Sequence, residues 1–80
     1  MKVTVLVRPR DGILDPQGQA IARALPTLGF DGVQAVRQGK RFELDVDDAP
    51  DADVLEQVRR MADTLLANPV IEDYEVRILR

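Results

Sequence analysis

The side chains in this sequence that can do chemistry are carboxylates, guanidinium groups, two amines and one phenol. Its 80 residues contain no His, Cys or Ser. That absence removes Ser–His and Cys–His nucleophilic pairs, imidazole acid–base catalysis and almost all zinc chemistry. Five aspartates, Asp45, Asp47, Asp48, Asp51 and Asp53, crowd one stretch. They lack the fixed ligand spacing and terminal Glu of a calcium loop and read as a solvated loop rich in helix caps. Arg37-Gln38-Gly39-Lys40-Arg41 sets three positive charges around a glycine, chemistry suited to a phosphate or to a partner's carboxylate. No helix is expected after it to lend an N-terminus to a phosphate. The residues therefore predict no catalytic group, no bound cofactor and no metal centre in this chain.

The elements that position these groups follow from hydropathy and turn chemistry. Val3, Val5 and Val7 alternate with Lys2, Thr4, Leu6 and Arg8, the period of a half-buried strand. Asp15-Pro16 is an N-cap followed by proline at the first helical position. Ala20, Ile21, Ala24, Leu25 and Leu28 then share a helical face that stops at Gly29. Pro26 inside that pattern predicts a kink or an end one turn early. Gly18, a weak helix former in the first turn, reads either as the close approach of another backbone or as a tolerated imperfection. Val33–Arg37 and Phe42–Val46 read as two strands joined by a tight turn at Gly39-Lys40.

Asp51 or Asp53 caps the next helix, Asp53 and Glu56 having capping-box spacing. Val54, Leu55, Val58, Met61, Ala62, Leu65 and Leu66 form its apolar stripe. Asn68-Pro69 ends it, and Tyr74, Val76 and Ile78 alternate along a last strand. The order βαββαβ predicts a ferredoxin-like α+β fold: one domain over residues 1–80, with two helices on one face of a four-stranded antiparallel sheet. The first and third strands would lie in the centre and the second and fourth at the edges, open to strand addition.

Composition narrows the function. A net charge of −3 and a pI near 4.8, with basic residues scattered along the chain, argue against nucleic acid. No stretch approaches the roughly 18 apolar residues of a membrane span, so a cytoplasmic protein without a membrane anchor is expected. At this length a single core supplies only about 3–5 kcal/mol of net stability, which favours oligomers or docking onto a partner.

Leu14-Asp15-Pro16-Gln17-Gly18, Val36-Arg37-Gln38-Gly39-Lys40 and Leu66-Ala67-Asn68-Pro69-Val70-Ile71-Glu72-Asp73-Tyr74, in that order and at this chain length, closely resemble the PurS family, small subunits of phosphoribosylformylglycinamidine synthase. The resemblance implies the βαββαβ fold, self-association as a homodimer or higher homo-oligomer, and partnership with a glutaminase subunit, PurQ, and a synthetase subunit, PurL, in purine biosynthesis. It implies a non-catalytic role, bridging the two partners and assisting ammonia transfer, with ATP and magnesium used by the synthetase subunit. Asp15, Gln17, Gly18, Arg37, Gly39, Lys40, Asn68, Asp73 and Tyr74 become the candidates for partner interfaces. Self-association is expected along the second and fourth strands.

Two other functions share the element order. A stand-alone ACT-like module would bind small molecules such as amino acids. An acylphosphatase-like enzyme would need a phosphate-cradling loop, which Arg8-Pro9-Arg10-Asp11-Gly12 does not resemble.

Overall fold

The computed structural model describes residues 1–79. Strand β1 (Lys2–Pro9), helix α1 (Pro16–Thr27), strand β2 (Lys40–Asp45), helix α2 (Asp51–Met61), a π-helical turn (Ala62–Leu66) and strand β3 (Glu72–Leu79) follow in order. The described sheet has three strands, β2-β1-β3, with both pairs antiparallel. Register places Val5 opposite Phe42 on one side and Val76 on the other. The alternation in β1 works as expected: Val3, Val5 and Val7 are buried, and Val54, Val58 and Ala62 close over them. Phe42, Leu44, Val46, Tyr74, Val76 and Ile78 flank this core half-buried.

The expected strand at Val33–Arg37 does not form, so the four-stranded sheet is corrected to three described strands, and β2 becomes an edge. The expected turn at Gly39-Lys40 is absent for a physical reason. Gln38 N–H is bonded to the Asp15 carboxylate, 2.6 Å away. Gly39 lies so close to the Val7 carbonyl that a Cβ there would overlap it. The chain therefore enters β2 straight from the end of β1 instead of folding back beside β2. Residues 30–39 carry no regular structure.

Both helices depart from expectation at their ends. Helix α1 runs through Pro26 to Thr27 rather than stopping a turn early. Pro26 falls in the last turn, where only one backbone bond is lost, and the Thr27 hydroxyl donates to Ala24 O at 2.6 Å. Helix α2 starts at Asp51 after Pro50, so Asp53 lies in the first turn rather than at the cap. There Asp51 and Asp53 favour the helix dipole.

The stripe of α2 stays in phase through Ala62, after which the chain winds wider, with Ala67 N–H bonding Ala62 O at 2.9 Å. The extra residue in that turn rotates Leu65 outward, leaving it 83% exposed, while Ala67 is buried.

The molecule measures 49 × 27 × 15 Å, with a radius of gyration of 16.0 Å, against about 12 Å for a compact chain of this length. Helix α1 and residues 30–39 account for the excess. In α1 the buried residue is Gly18, while Leu28, at its C-cap, and Phe30, just beyond, stand 68% and 59% exposed.

Val58→Ala removes a fully buried side chain and is expected to cost about 2 kcal/mol. Leu65→Ala, in the outward-turned position, is expected to stay within about 0.5 kcal/mol of the parent. Urea unfolding of both variants checks the pair, and equal losses would mean that α2 keeps an unbroken α-helical phase.

Candidate functional site

The three motif segments meet at one end of the sheet, where β1 ends and α1, β2 and β3 begin. Asp15 is the N-cap of α1, accepting from Gly18 N–H at 2.9 Å and from Gln38 N–H at 2.6 Å, one bond to each carboxylate oxygen. The Gln38 bond first, the Gly18 bond second and the nearby Arg37 guanidinium hold this carboxyl below the usual aspartate range. Gly18 is required by space: a Cβ there would run into the Val36 carbonyl and the Asp15 carboxylate, which decides between the two readings of this glycine in favour of the close backbone approach.

Arg37 donates from Nη2 to Pro9 O and Arg10 O, both at 2.8 Å, and so pins residues 36–38 to the end of β1. Arg10 continues the chain of contacts. Its Nη2 donates to Pro69 O at 2.6 Å, its Nη1 meets Asp73 Oδ1 at 2.9 Å, and its backbone N–H donates to Ile71 O at 2.9 Å.

Asn68 shapes the last turn. Its side-chain oxygen accepts from Val70 N–H at 3.1 Å, its carbonyl accepts from Ile71 and Glu72, and its own N–H donates to Glu72 Oε1 at 2.7 Å.

These bonds separate the nine candidates. Asp15, Gly18, Arg37, Gly39, Asn68 and Asp73 hold the backbone of this end in place. The side chains of Gln17 and Lys40 are exposed and make no hydrogen bond or ion pair among the described residues. They sit on a groove of about 480 Å³, which Leu14, Gln38, Ile71 and Glu72 also line. Leu14 and Ile71 are 65% and 41% exposed, giving the groove an apolar character beside one free cation and one amide.

Tyr74 does not join this groove. It lies on the sheet face beneath α2, with its hydroxyl donating to Arg59 O at 3.4 Å, and desolvation followed by the neighbouring Asp63 raises its pKa.

Arg10 was not anticipated. Its only sequence signal is a cation just past Pro9 at a strand end, and partners at positions 69–73 leave no mark in local spacing. The described residues contain no cluster of three or more metal-ligating side chains. No helix among them is long and apolar enough to cross a membrane.

The arrangement is a rigid, hydrogen-bonded end with an amphipathic groove, chemically suited to recognising a surface.

Residues 2–80 match the family model PurS, described as phosphoribosylformylglycinamidine (FGAM) synthase. The phosphoribosylformylglycinamidine synthase subunit PurS of Mycobacterium leprae is 53% identical over 75 residues, covering 94% of this chain and 91% of that protein. The crystal structure of Methanocaldococcus jannaschii PurS, one of the subunits of formylglycinamide ribonucleotide amidotransferase in the purine biosynthetic pathway, superposes with a TM-score of 0.88 at 39% identity. That match covers 99% of this chain and 95% of the other. A chain in the structure of PurLQS from Thermotoga maritima gives a TM-score of 0.87 at 36% identity, covering 98% and 95%.

Two outcomes are expected from the end of the sheet. Gly18→Ala should destabilise the fold by about 1–3 kcal/mol, read by thermal unfolding, because backbone on one side and a capping carboxylate on the other leave no room to shift. Asp15 contributes stability that is fully present above its unfolded pKa of about 4 and is lost as pH falls through its lower folded value. Acid unfolding of Asp15→Asn should therefore show a shallower loss of stability below about pH 4 than the parent; identical slopes would remove Asp15 from its place as the anchor of this end.

Proposed function

The chain belongs to the PurS family of phosphoribosylformylglycinamidine synthase subunits, and on that premise we propose that it is the non-catalytic subunit that bridges the glutaminase PurQ and the synthetase PurL and assists ammonia transfer between them. The observation that carries this reading is how the motif residues are used. Asp15, Arg37 and Asn68 bond backbone groups and build a shaped end, while Gln17, Lys40 and Leu14 are left outward beside a groove.

Such a surface serves docking, and the reaction with ATP and magnesium falls to the synthetase subunit. The place of action is the cytoplasm. The regulatory-module reading is not favoured, since the PurS match runs over residues 2–80.

Self-association belongs to the same proposal, with one of the two expected edges replaced. Residues 33–37 form no strand, so β2 takes their place at one edge, while the last strand, β3, is the other edge as expected. A second copy adding along β2 would extend the sheet, and the exposed apolar side of α1, with Leu28 and Phe30, would cover the half-buried Phe42, Leu44 and Val46 of its neighbour. The reading is supported by the elongated monomer, whose α1 lacks the sheet contact that a helix of this pattern needs.

The deciding assay mixes matching PurL and PurQ and measures amidated product from glutamine, with and without this chain, using ammonia as the control nitrogen source. Glutamine-dependent product is expected only when the chain is present, with ammonia effective either way; equal glutamine-dependent product without it overturns the bridging role. Leu28→Glu, at a position exposed in the monomer, is expected to shift the mass seen by light scattering to that of a monomer while leaving the circular dichroism spectrum unchanged. Retention of the oligomer would exclude α1 from the contact.

A further inference from the structure

The positive charges around Gly39 are grouped differently in space than in sequence. Arg37 is spent on the carbonyls of Pro9 and Arg10. Its place is taken from another strand. The register pairs Leu6 with Arg41 and Val7 with Lys40, so Arg8 comes to stand beside Gly39, and a Cβ on that glycine would sit 3.5 Å from the Arg8 Cα. With no side chain on Gly39 to fill the position next to Arg8, a pit of about 530 Å³ opens at this end of the sheet. Leu6, Arg8 and Arg41 alternate with the buried Val7, so their side chains lie on the face turned away from α2.

Four cations and two carboxylates among the described residues line this pit, in a chain whose net charge is −3. Both carboxylates are engaged. Asp73 Oδ1 meets Arg10 Nη1 at 2.9 Å, and Glu75 takes Arg77 Nε at 2.9 Å and Arg77 Nη2 at 3.2 Å. Arg41 meets Glu43, just outside, at 3.3 Å. Arg8 and Lys40 are exposed, and their side chains make no hydrogen bond or ion pair among the described residues. Arg77 first holds the Glu75 carboxyl below the usual glutamate range, and Arg8 adds to that pull, so the Arg8 guanidinium reaches over the pit. Two positive charges from neighbouring strands are thus left over beside one bare stretch of backbone.

We propose that this pit binds the phosphate monoester of a small polyhydroxylated molecule, a phosphorylated sugar. A phosphate monoester carries close to two negative charges at neutral pH, which matches the two free cations. Arg8 offers a planar fork and Lys40 a point charge to its three oxygens, whereas a carboxylate would satisfy one of the two. The volume is that of a small-molecule site and exceeds what phosphate alone occupies. The remainder is bounded by the half-buried Leu6, an apolar floor for a sugar ring, and by Asp73, whose Oδ2 makes no bond among the described residues and can accept from a hydroxyl. Lys40 and Gly39 also border the groove described above, so a phosphate in the pit and a partner in the groove draw on the same amine.

This site goes beyond the bridging role and is tested without the other subunits, by isothermal titration calorimetry of the full chain with ribose 5-phosphate. Ribose, inorganic phosphate and glutarate serve as comparison ligands. Saturable binding of ribose 5-phosphate is expected, about tenfold or more tighter than that of inorganic phosphate, with no heat from ribose. Arg8→Gln and Lys40→Gln should each weaken it about tenfold or more, and Arg60→Gln, an exposed cation on α2, should leave it unchanged. Circular dichroism of each variant checks that it is folded.

Absence of binding at millimolar ribose 5-phosphate overturns the proposal. So does inorganic phosphate bound as tightly, which means an adventitious ion only, or glutarate bound as tightly, which means that the pit takes a partner's carboxylate. Arg8 does not line the groove, so parent-like affinity in Arg8→Gln would place the ligand elsewhere and overturn it as well.

Discussion

One carboxylate does more than any other group to decide the shape of this chain. Asp15 caps α1 through Gly18 and, with its other oxygen, takes the backbone N–H of Gln38. The second bond commits residues 36–38 to the helix start and withdraws them from the sheet. Everything distinctive in the outline follows: β2 is left as an edge, α1 is held off the sheet, and the molecule is long rather than round. Arg37 reinforces the commitment by binding the carbonyls of Pro9 and Arg10.

The core is correspondingly narrow. Three valines of β1, Val54 and Val58 of α2, and Ala62 and Ala67 of the turn that follows make up the buried apolar residues among those described. A chain of this size with one helix unused for packing keeps little stability in reserve. The apolar surface left on α1 and residues 30–33 is what association with another chain would cover. Stability and assembly are therefore linked in this architecture through the same side chains.

Membership of the PurS family fits the way polar residues are distributed. Charged side chains at the end of the sheet are engaged with backbone carbonyls and amides, which fixes a surface, and the few left over point outward around an apolar groove. Rigid ends with unspent cations and amides suit recognition, where complementarity and low ordering cost determine affinity.

Much of this was legible in the residues alone. The alternation of Val3, Val5 and Val7, the Asp15-Pro16 helix start, the tight fit at Gly18, the inward stripe of α2 as far as Ala62 and the alternation of β3 are all local patterns, and each is found where the pattern placed it. The motif resemblance covered the rest of the family assignment.

What only the tertiary structure decided was non-local. The hairpin at Gly39-Lys40 failed because Gln38 is bound by a residue 23 positions earlier. The role of Arg10 depends on a carbonyl 59 positions later. The π turn that expels Leu65 turns on which residues must meet the sheet. Local propensity says what a segment can form, but hydrogen bonds between distant segments choose among the possibilities, and such partners leave no periodic trace in the sequence.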